Sequence, residues 1–146
     1  MIEIRCLEMG DEEVLSNIAP GVFDHEIDRD LSREFLADPR HHLAVALDAS
    51  VIVGFASGVH YIHPDKPPEL WINEVAVAET HRGTGIGKKL LLELLAIGKL
   101  LGCREAWVLT DRSNHPAMRL YASAGGSKAQ EDTVMFTFYL DPSGAS

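Results

Sequence analysis

Glu69-Leu70-Trp71-Ile72-Asn73-Glu74-Val75-Ala76-Val77-Ala78, then Glu79-Thr80-His81-Arg82-Gly83-Thr84-Gly85-Ile86-Gly87 and the run from Lys88 to Leu101, is the stretch that decides the fold. Leu70 to Ala78 is apolar and extended and reads as a strand. In Lys88 to Leu101, Leu90, Leu91, Leu94, Leu95 and Ile97, with Ile86 just before them, recur at helical spacing, and Gly102 stops the helix. Between strand and helix lies a glycine-rich turn. The first turn of a helix presents backbone N–H groups without internal partners, and the helix dipole adds partial positive charge there. Glycines let the main chain approach a bound anion closely. Between Glu79 and Glu93 there is no carboxylate, but there are Arg82, Lys88 and Lys89. Helix starts ordinarily favour Asp or Glu, so this one leaves that place to an outside anion. The alternative is a purely structural strand-to-helix turn.

Two common phosphate patterns are excluded. A Walker loop requires Gly, four residues, then Gly-Lys-Ser/Thr. Gly87-Lys88 has Arg82 in place of the first glycine and Lys89 in place of the hydroxyl. The dinucleotide fingerprint requires Gly-x-Gly-x-x-Gly, whereas the spacing here is Gly83-x-Gly85-x-Gly87.

The 146 residues suit one domain spanning 1–146, with 46% hydrophobic and 24% charged residues. No apolar run approaches the roughly 20 residues of a membrane-spanning helix, and no signal peptide is visible at the start. Cys6 and Cys103 read as buried free thiols rather than a disulfide, which favours the cytoplasm. The seven histidines are scattered, and His60-x-x-His63 has no partner at ligand spacing, so no metal is expected. A net charge of −9, with cations gathered only at Arg82–Lys89, argues against nucleic acid and membrane surfaces and for a cationic partner.

In chain order, Ile2–Leu7 reads as a strand, and Asp11 as the cap of a helix bearing Val14, Leu15 and Ile18. An acid-dense segment, Asp24 to Asp30, precedes a second helix with Leu31, Phe35 and Leu36, ended by Asp38-Pro39. His42–Leu47 and Val51–Ile62 form a hairpin around Asp48-Ala49-Ser50. Gly54 and Gly58 mark a bend or a close backbone approach in its second strand. After the long helix come a strand over Arg104–Thr110, a short helix capped by Asn114 and closed by Gly125-Gly126, a last strand over Thr133–Leu140, and a frayed tail from Asp141 to Ser146. The class is α+β, a mixed α/β sheet with helices on both faces.

Arg82-x-x-Gly85-x-Gly87 resembles the Arg/Gln-x-x-Gly-x-Gly/Ala signature of the GNAT N-acetyltransferase family. Asn114-His115-Pro116-Ala117-Met118-Arg119-Leu120-Tyr121 with Gly125-Gly126 is similar to that family's second element, although Ser127 stands where a phenylalanine is usual. The match covers roughly residues 40 to 126. It implies the GNAT acyl-CoA N-acyltransferase fold, in which the central strand and the strand after the long helix splay apart to admit acetyl-CoA. It further implies that Arg82, Gly83, Thr84, Gly85, Ile86, Gly87 and Lys88 cradle the pyrophosphate of coenzyme A. Val75, Ala76 and Val77 would line the pantetheine arm, and Asn114, Ala117 and Tyr121 would flank it. The family is often dimeric, so a homodimer is expected.

Acetyl transfer to an amine requires a proton to leave the amine, the thioester to be polarised and the thiolate to depart. Tyr121 matches the family tyrosine that protonates the sulfur; it would otherwise be a core tyrosine. Asn114 suits an N-cap as well as a site residue. Glu74, in mid-strand among apolar residues, is costly unless it faces a cleft or has a partner. Strand alternation puts it on the face opposite Trp71, Asn73 and Val75. It is the first candidate for general base and for substrate contact; the alternative is a structural ion pair. Asp111 is the second candidate.

Asn73-Glu74-Val75-Ala76-Val77 with Glu79-Thr80-His81-Arg82, and the pieces Val134-Met135-Phe136 and Leu140-Asp141-Pro142-Ser143, resemble the small aminoglycoside 3-N-acetyltransferases within that family. That branch implies a cationic small-molecule amine as partner, with Asp24, Glu26 and Asp28, and beyond them Asp30, Glu131 and Asp132, as its acidic walls. A polyamine, another amino sugar or a protein amine would suit the same walls. A coenzyme A-binding domain without activity is the non-enzymatic alternative.

Overall fold

The computed structural model describes residues 1–129, 132–141 and 143; Glu131 and most of the predicted tail (142 and 144–146) lie outside the described residues. Among the described residues, five strands form one sheet in the order of the chain: β1 (Ile2–Cys6), β2 (His41–Asp48), β3 (Val51–Tyr61), β4 (Glu69–Val77) and β5 (Glu105–Trp107). The first four pair antiparallel and β5 joins β4 in parallel. The β2–β3 turn is tight because Ala49 and Ser50 both take positive φ. The α-helices among the described residues are α1 (Arg29–Ala37), α2 (Ile86–Leu100) and α3 (His115–Ser123).

The two faces are covered differently. A Cβ on Gly54 would lie 3.2 Å from Leu90 and 3.4 Å from Ile86, so α2 lies against this face. The adjacent Phe55 points the other way and stacks on Phe23, ring centroids 4.1 Å apart, in the segment leading to α1. The expectation of helices on both faces holds. Ile86, Leu90, Leu91 and Leu94 are buried, and Leu95 and Ile97 are partly buried, as the helical periodicity requires. At the other end of α2, a Cβ on Gly98 would meet Leu70 at 3.0 Å, so this glycine sets how closely helix and strand pack.

Three local expectations are corrected. Asp11 does not cap a helix: its carboxylate accepts from the Glu8 amide at 2.8 Å and pairs with Arg5 at 3.2 Å, and a short 3-10 turn, Glu12–Ser16, follows. The strand expected over Arg104–Thr110 keeps only Glu105–Trp107 in the ladder. The strand expected over Thr133–Leu140 pairs with nothing among the described residues, and Val134, Met135, Phe136, Phe138, Tyr139 and Leu140 are all exposed. A strand needs a neighbour's backbone to complete its hydrogen bonds, and β5 presents only three residues of edge.

A fourth correction bears on function. Ser57 pairs with Glu74 and Gly58 with Ile72, so Asn73 is an extra residue on β4, a β-bulge. Leu70 and Ile72, then Val75 and Val77, therefore share the α2 face: Leu70 meets Gly98, and the Val77 methyl lies 3.7 Å from a Cβ on Gly87. Trp71 and Glu74 share the opposite face. Alternation counted without the bulge sets Glu74 opposite both Trp71 and Val75; it is opposite Val75 only.

Candidate active site

The helix start behaves as its sequence requires. Gly85 is the N-cap of α2 with φ +84°, no side chain caps the helix, and no acidic residue occupies the first turn. Gly83 has φ +76°, and a Cβ on either glycine would meet nothing within 4 Å, so the turn is open on its outer side. Thr84 donates its hydroxyl to the His81 carbonyl at 2.6 Å and holds the turn's shape. Arg82 donates from Nε to the Val77 carbonyl at 3.0 Å, tying the turn back to the end of β4. Gly87 is close-packed for a different reason: a Cβ there would touch Leu120 at 3.5 Å, so the α2 start and α3 meet at this glycine.

Beside this turn β4 has an open edge. β4 and β5 pair only through Glu69–Trp71 with Glu105–Trp107. From Ile72 to Val77 the β5 side of β4 carries no ladder among the described residues. Val75, Ala76 and Val77 lie along this stretch and lead directly to Gly83–Lys88, so the residues expected to bind the coenzyme are brought together. The Val77 carbonyl is already engaged by Arg82.

On the α2 side, α3 begins with Asn114, whose side-chain carbonyl accepts from the Ala117 amide at 3.2 Å. Asn114 is thus an N-cap, and Pro116 follows in the first turn. The same helix carries Tyr121, half-buried, whose hydroxyl pKa is raised by burial. A phenol in that state stays protonated at neutral pH and can donate. Glu74 is exposed on the other face, and no hydrogen bond or ion pair joins it to another described residue. The structural ion pair weighed as its alternative role is therefore not made among the described residues. Asp111 is exposed in the segment between β5 and α3, where its carbonyl accepts from the Asn114 amide.

The acidic walls are not all brought to Glu74. Asp28 is the N-cap of α1, its carboxylate accepting from the Leu31 amide at 2.9 Å. Asp24 and Glu26 line a groove of about 660 Å³ with Glu12, Glu13 and Arg29, and Glu74 does not line it. The groove does contain Phe23, which stacks on Phe55, two residues along β3 from Ser57, the partner of Glu74. The groove and Glu74 thus share one face of the sheet.

Sequence reading missed an aromatic group on that same face. Trp71 and Trp107 stack with centroids 5.3 Å apart and planes 9° from parallel. Trp107 donates its indole N–H to the Tyr61 hydroxyl at 2.7 Å, and that hydroxyl lies 3.4 Å from the Glu69 carboxylate. The available signal was the shift in apolar parity along β4, from Leu70 and Ile72 to Val75 and Val77, which betrays the bulge.

The acetyltransferase (GNAT) family matches residues 9–125. The chain belongs to that family. Two L-2,4-diaminobutyric acid acetyltransferases are similar. The one from Oceanobacillus iheyensis is 43% identical over 70 residues, covering 48% of this chain and 37% of that protein. The one from Virgibacillus pantothenticus is 34% identical over 88 residues, covering 60% and 54%. The chain spans about half or less of the length of these curated relatives. Among solved structures, an aminoglycoside acetyltransferase from an uncultured soil metagenomic sample, in complex with trehalose, superposes with a TM-score of 0.83 at 24% identity, covering 96% of this chain and 97% of the other. This likeness confirms the expected GNAT fold. The splayed β4 edge and the glycine turn at α2 are where the GNAT signature led the sequence reading to place them.

Proposed function

We propose that this protein is an acetyl-CoA-dependent N-acetyltransferase acting on a primary amine of a cationic small molecule. The observation that carries the reading is the continuity of an open β4 edge with an uncapped, carboxylate-free helix start. Together they offer unpaired backbone to an extended arm and unpartnered N–H groups to a diphosphate. Acetyl-CoA supplies the acetyl group as a thioester that an amine can attack directly. The backbone of Val75–Val77 lines its arm, Gly83 to Lys88 receive the pyrophosphate, and Asn114 and Ala117 bound the site from α3. Glu74 and Tyr121 work from opposite faces of the sheet. Glu74 removes the proton from the incoming ammonium, and the Tyr121 hydroxyl returns one to the departing sulfur.

An aminoglycoside, acetylated at the 3-N position, is the first acceptor proposed, on the sequence likeness around Glu74 and the acidic groove that shares its face. A diamino acid is the second, favoured by the relatives that acetylate L-2,4-diaminobutyric acid. The working form is proposed to be a homodimer in which a second copy covers the exposed Val134–Leu140 segment, and light scattering on the purified chain reads its mass. A monomer with that segment exposed at micromolar concentration would sink this part.

The test of the chemistry is Glu74→Gln, assayed for thiol release with an aminoglycoside and with L-2,4-diaminobutyrate. The variant keeps size but cannot take a proton. We expect kcat to fall at least about tenfold near neutral pH and to recover partly at high pH, where more of the amine is already neutral. A rise in KM with kcat unchanged would make Glu74 a substrate anchor instead.

A further inference from the structure

The bulge at Asn73 leaves an aromatic platform beside Glu74 that the proposed chemistry does not use. Trp71 pairs with Val59 and Glu74 with Ser57, and these partners are two residues apart on β3. Two residues along a strand span about 7 Å. Trp71 is 36% exposed, and it lies on the same face as Glu74. Its position is fixed from behind: it stacks on Trp107, which donates its N–H to Tyr61 and also meets the edge of the Tyr61 ring. The carboxylate next to the platform is already engaged. Glu69 lies 3.4 Å from the Tyr61 hydroxyl and 3.5 Å from the Lys66 ammonium, and 2.8 Å from His63 Nε2, although off that nitrogen's hydrogen-bonding direction. The nearest carboxylate is thus already partnered, whereas the outer surface of the Trp71 indole is exposed.

We propose that Trp71, backed by Trp107, holds a second ammonium group of the acceptor, about 7 Å from the amine that Glu74 deprotonates. The indole face carries negative quadrupole charge and attracts a cation, more strongly where water is partly excluded. A rigid, stacked ring loses little freedom when it does so. The site thus selects diamines and polyamines over monoamines, and it selects by spacing: the second cation must sit one strand repeat from the reacting nitrogen. Trp71 is a specificity residue here, and this assignment rests on the acetyltransferase reading and on the place of Glu74 within it. The competing role for the stack is mechanical, a cross-strand pair that fastens β5 to β4.

The experiment compares 1,4-diaminobutane with 1-aminobutane, which has the same chain and lacks the second ammonium. Wild type, Trp71→Leu and Trp71→Phe are assayed at saturating acetyl-CoA, with melting temperatures alongside. Leucine keeps apolar packing and removes the π face; phenylalanine keeps a smaller one. We expect wild type to prefer the diamine through a lower KM. That preference should shrink about 5- to 30-fold in Trp71→Leu, the size of a cation–π contact at a partly desolvated ring, and only in part in Trp71→Phe. An equal loss with both amines, accompanied by a lower melting temperature, would overturn the proposal in favour of the mechanical role, and an undiminished preference would overturn it outright. Calorimetric titration of 1,4-diaminobutane into wild type and Trp71→Leu separates the two layers of the argument. If neither amine is acetylated, the acetyltransferase reading fails for these acceptors. Weaker diamine binding by the leucine variant would still support the subsite, and equal or absent binding would remove it.

Discussion

Replacing Gly85 by aspartate tests the anion cradle with little disturbance elsewhere. Gly85 sits at φ +84°, a region that non-glycine residues enter at a cost of about 1–2 kcal/mol, with Asn and Asp among those that tolerate it best. The new Cβ meets no atom within 4 Å, so steric overlap adds nothing to that strain. A negative charge at a helix start returns about 0.3–1 kcal/mol. The net loss is therefore about 1 kcal/mol, a few degrees in melting temperature for a chain of this size. Binding responds very differently. A carboxylate roughly 4 Å from a bound phosphate, at an effective dielectric constant of about 20, opposes it by about 4 kcal/mol per unit charge. That is nearly a thousandfold in affinity. Gly85→Asn carries the same backbone strain without the charge. Calorimetry with coenzyme A should therefore show Gly85→Asp at least about a hundredfold weaker than wild type and at least tenfold weaker than Gly85→Asn, with both variants melting within a few degrees of each other. If aspartate and asparagine bind coenzyme A alike, the charge at this helix start is irrelevant and the cradle lies elsewhere.

Two further outcomes follow from single side chains. Tyr121→Phe should lower kcat by about 10²–10⁴-fold at unchanged melting temperature, since the hydroxyl makes no hydrogen bond to a described residue, and full turnover would return Tyr121 to a packing role. His42 and His60 lie 2.8 Å apart, and burial first, then the neighbouring His60 and His41, pull the His42 pKa down from 6.5 to about 4. A histidine whose folded pKa lies below its unfolded value contributes stability fully above about pH 6.5 and loses it as pH falls toward 4. His42 is only half-buried, so solvent screening reduces the ceiling of roughly 3 kcal/mol to about 1–2 kcal/mol. Urea midpoints of wild type should fall between pH 7 and pH 5 more steeply than those of His42→Leu; parallel curves would show that the pair titrates as it does in water.

What the sequence made legible was what local rules decide. The α2 start was readable because glycine conformations, missing carboxylates and orphan N–H groups all act within one turn. Asn114 was readable as a cap for the same reason, and the two glycines of β3 as points of close approach, Gly54 beneath α2 and Gly58 against the β4 backbone at Trp71. The rest failed where the answer depends on a partner strand. β5 keeps three residues because β4 turns away from it, which no pattern within Arg104–Thr110 encodes. Thr133–Leu140 is rich in strand-forming residues yet has no ladder among the described residues, because such a pattern says that a segment suits a strand and nothing of what it pairs with. Asp28 was expected as a wall of the acceptor site from the resemblance, and its second, local role went unread: three residues before Leu31, its carboxylate accepts from that amide and caps α1.

The bulge at Asn73 joins these threads. Bulges increase the twist of the strand that carries them, and this one lies just beyond Trp71, the last β4 residue that pairs with β5. One extra residue therefore does two things at once. It accompanies the peeling of β4 away from β5, which leaves the Ile72–Val77 edge open beside the helix start. It also reverses the alternation, which turns Glu74 to the face of Trp71 while Val75 and Val77 stay against α2. Without the reversal, a carboxylate at position 74 on Trp71's face and an apolar Val75 under the helix could not coexist with buried Leu70 and Ile72. The open β4 edge and the shared face of Glu74 and Trp71 both trace to the same insertion, and in the proposed chemistry the amine would lose its proton on that face while Tyr121 acts from the other.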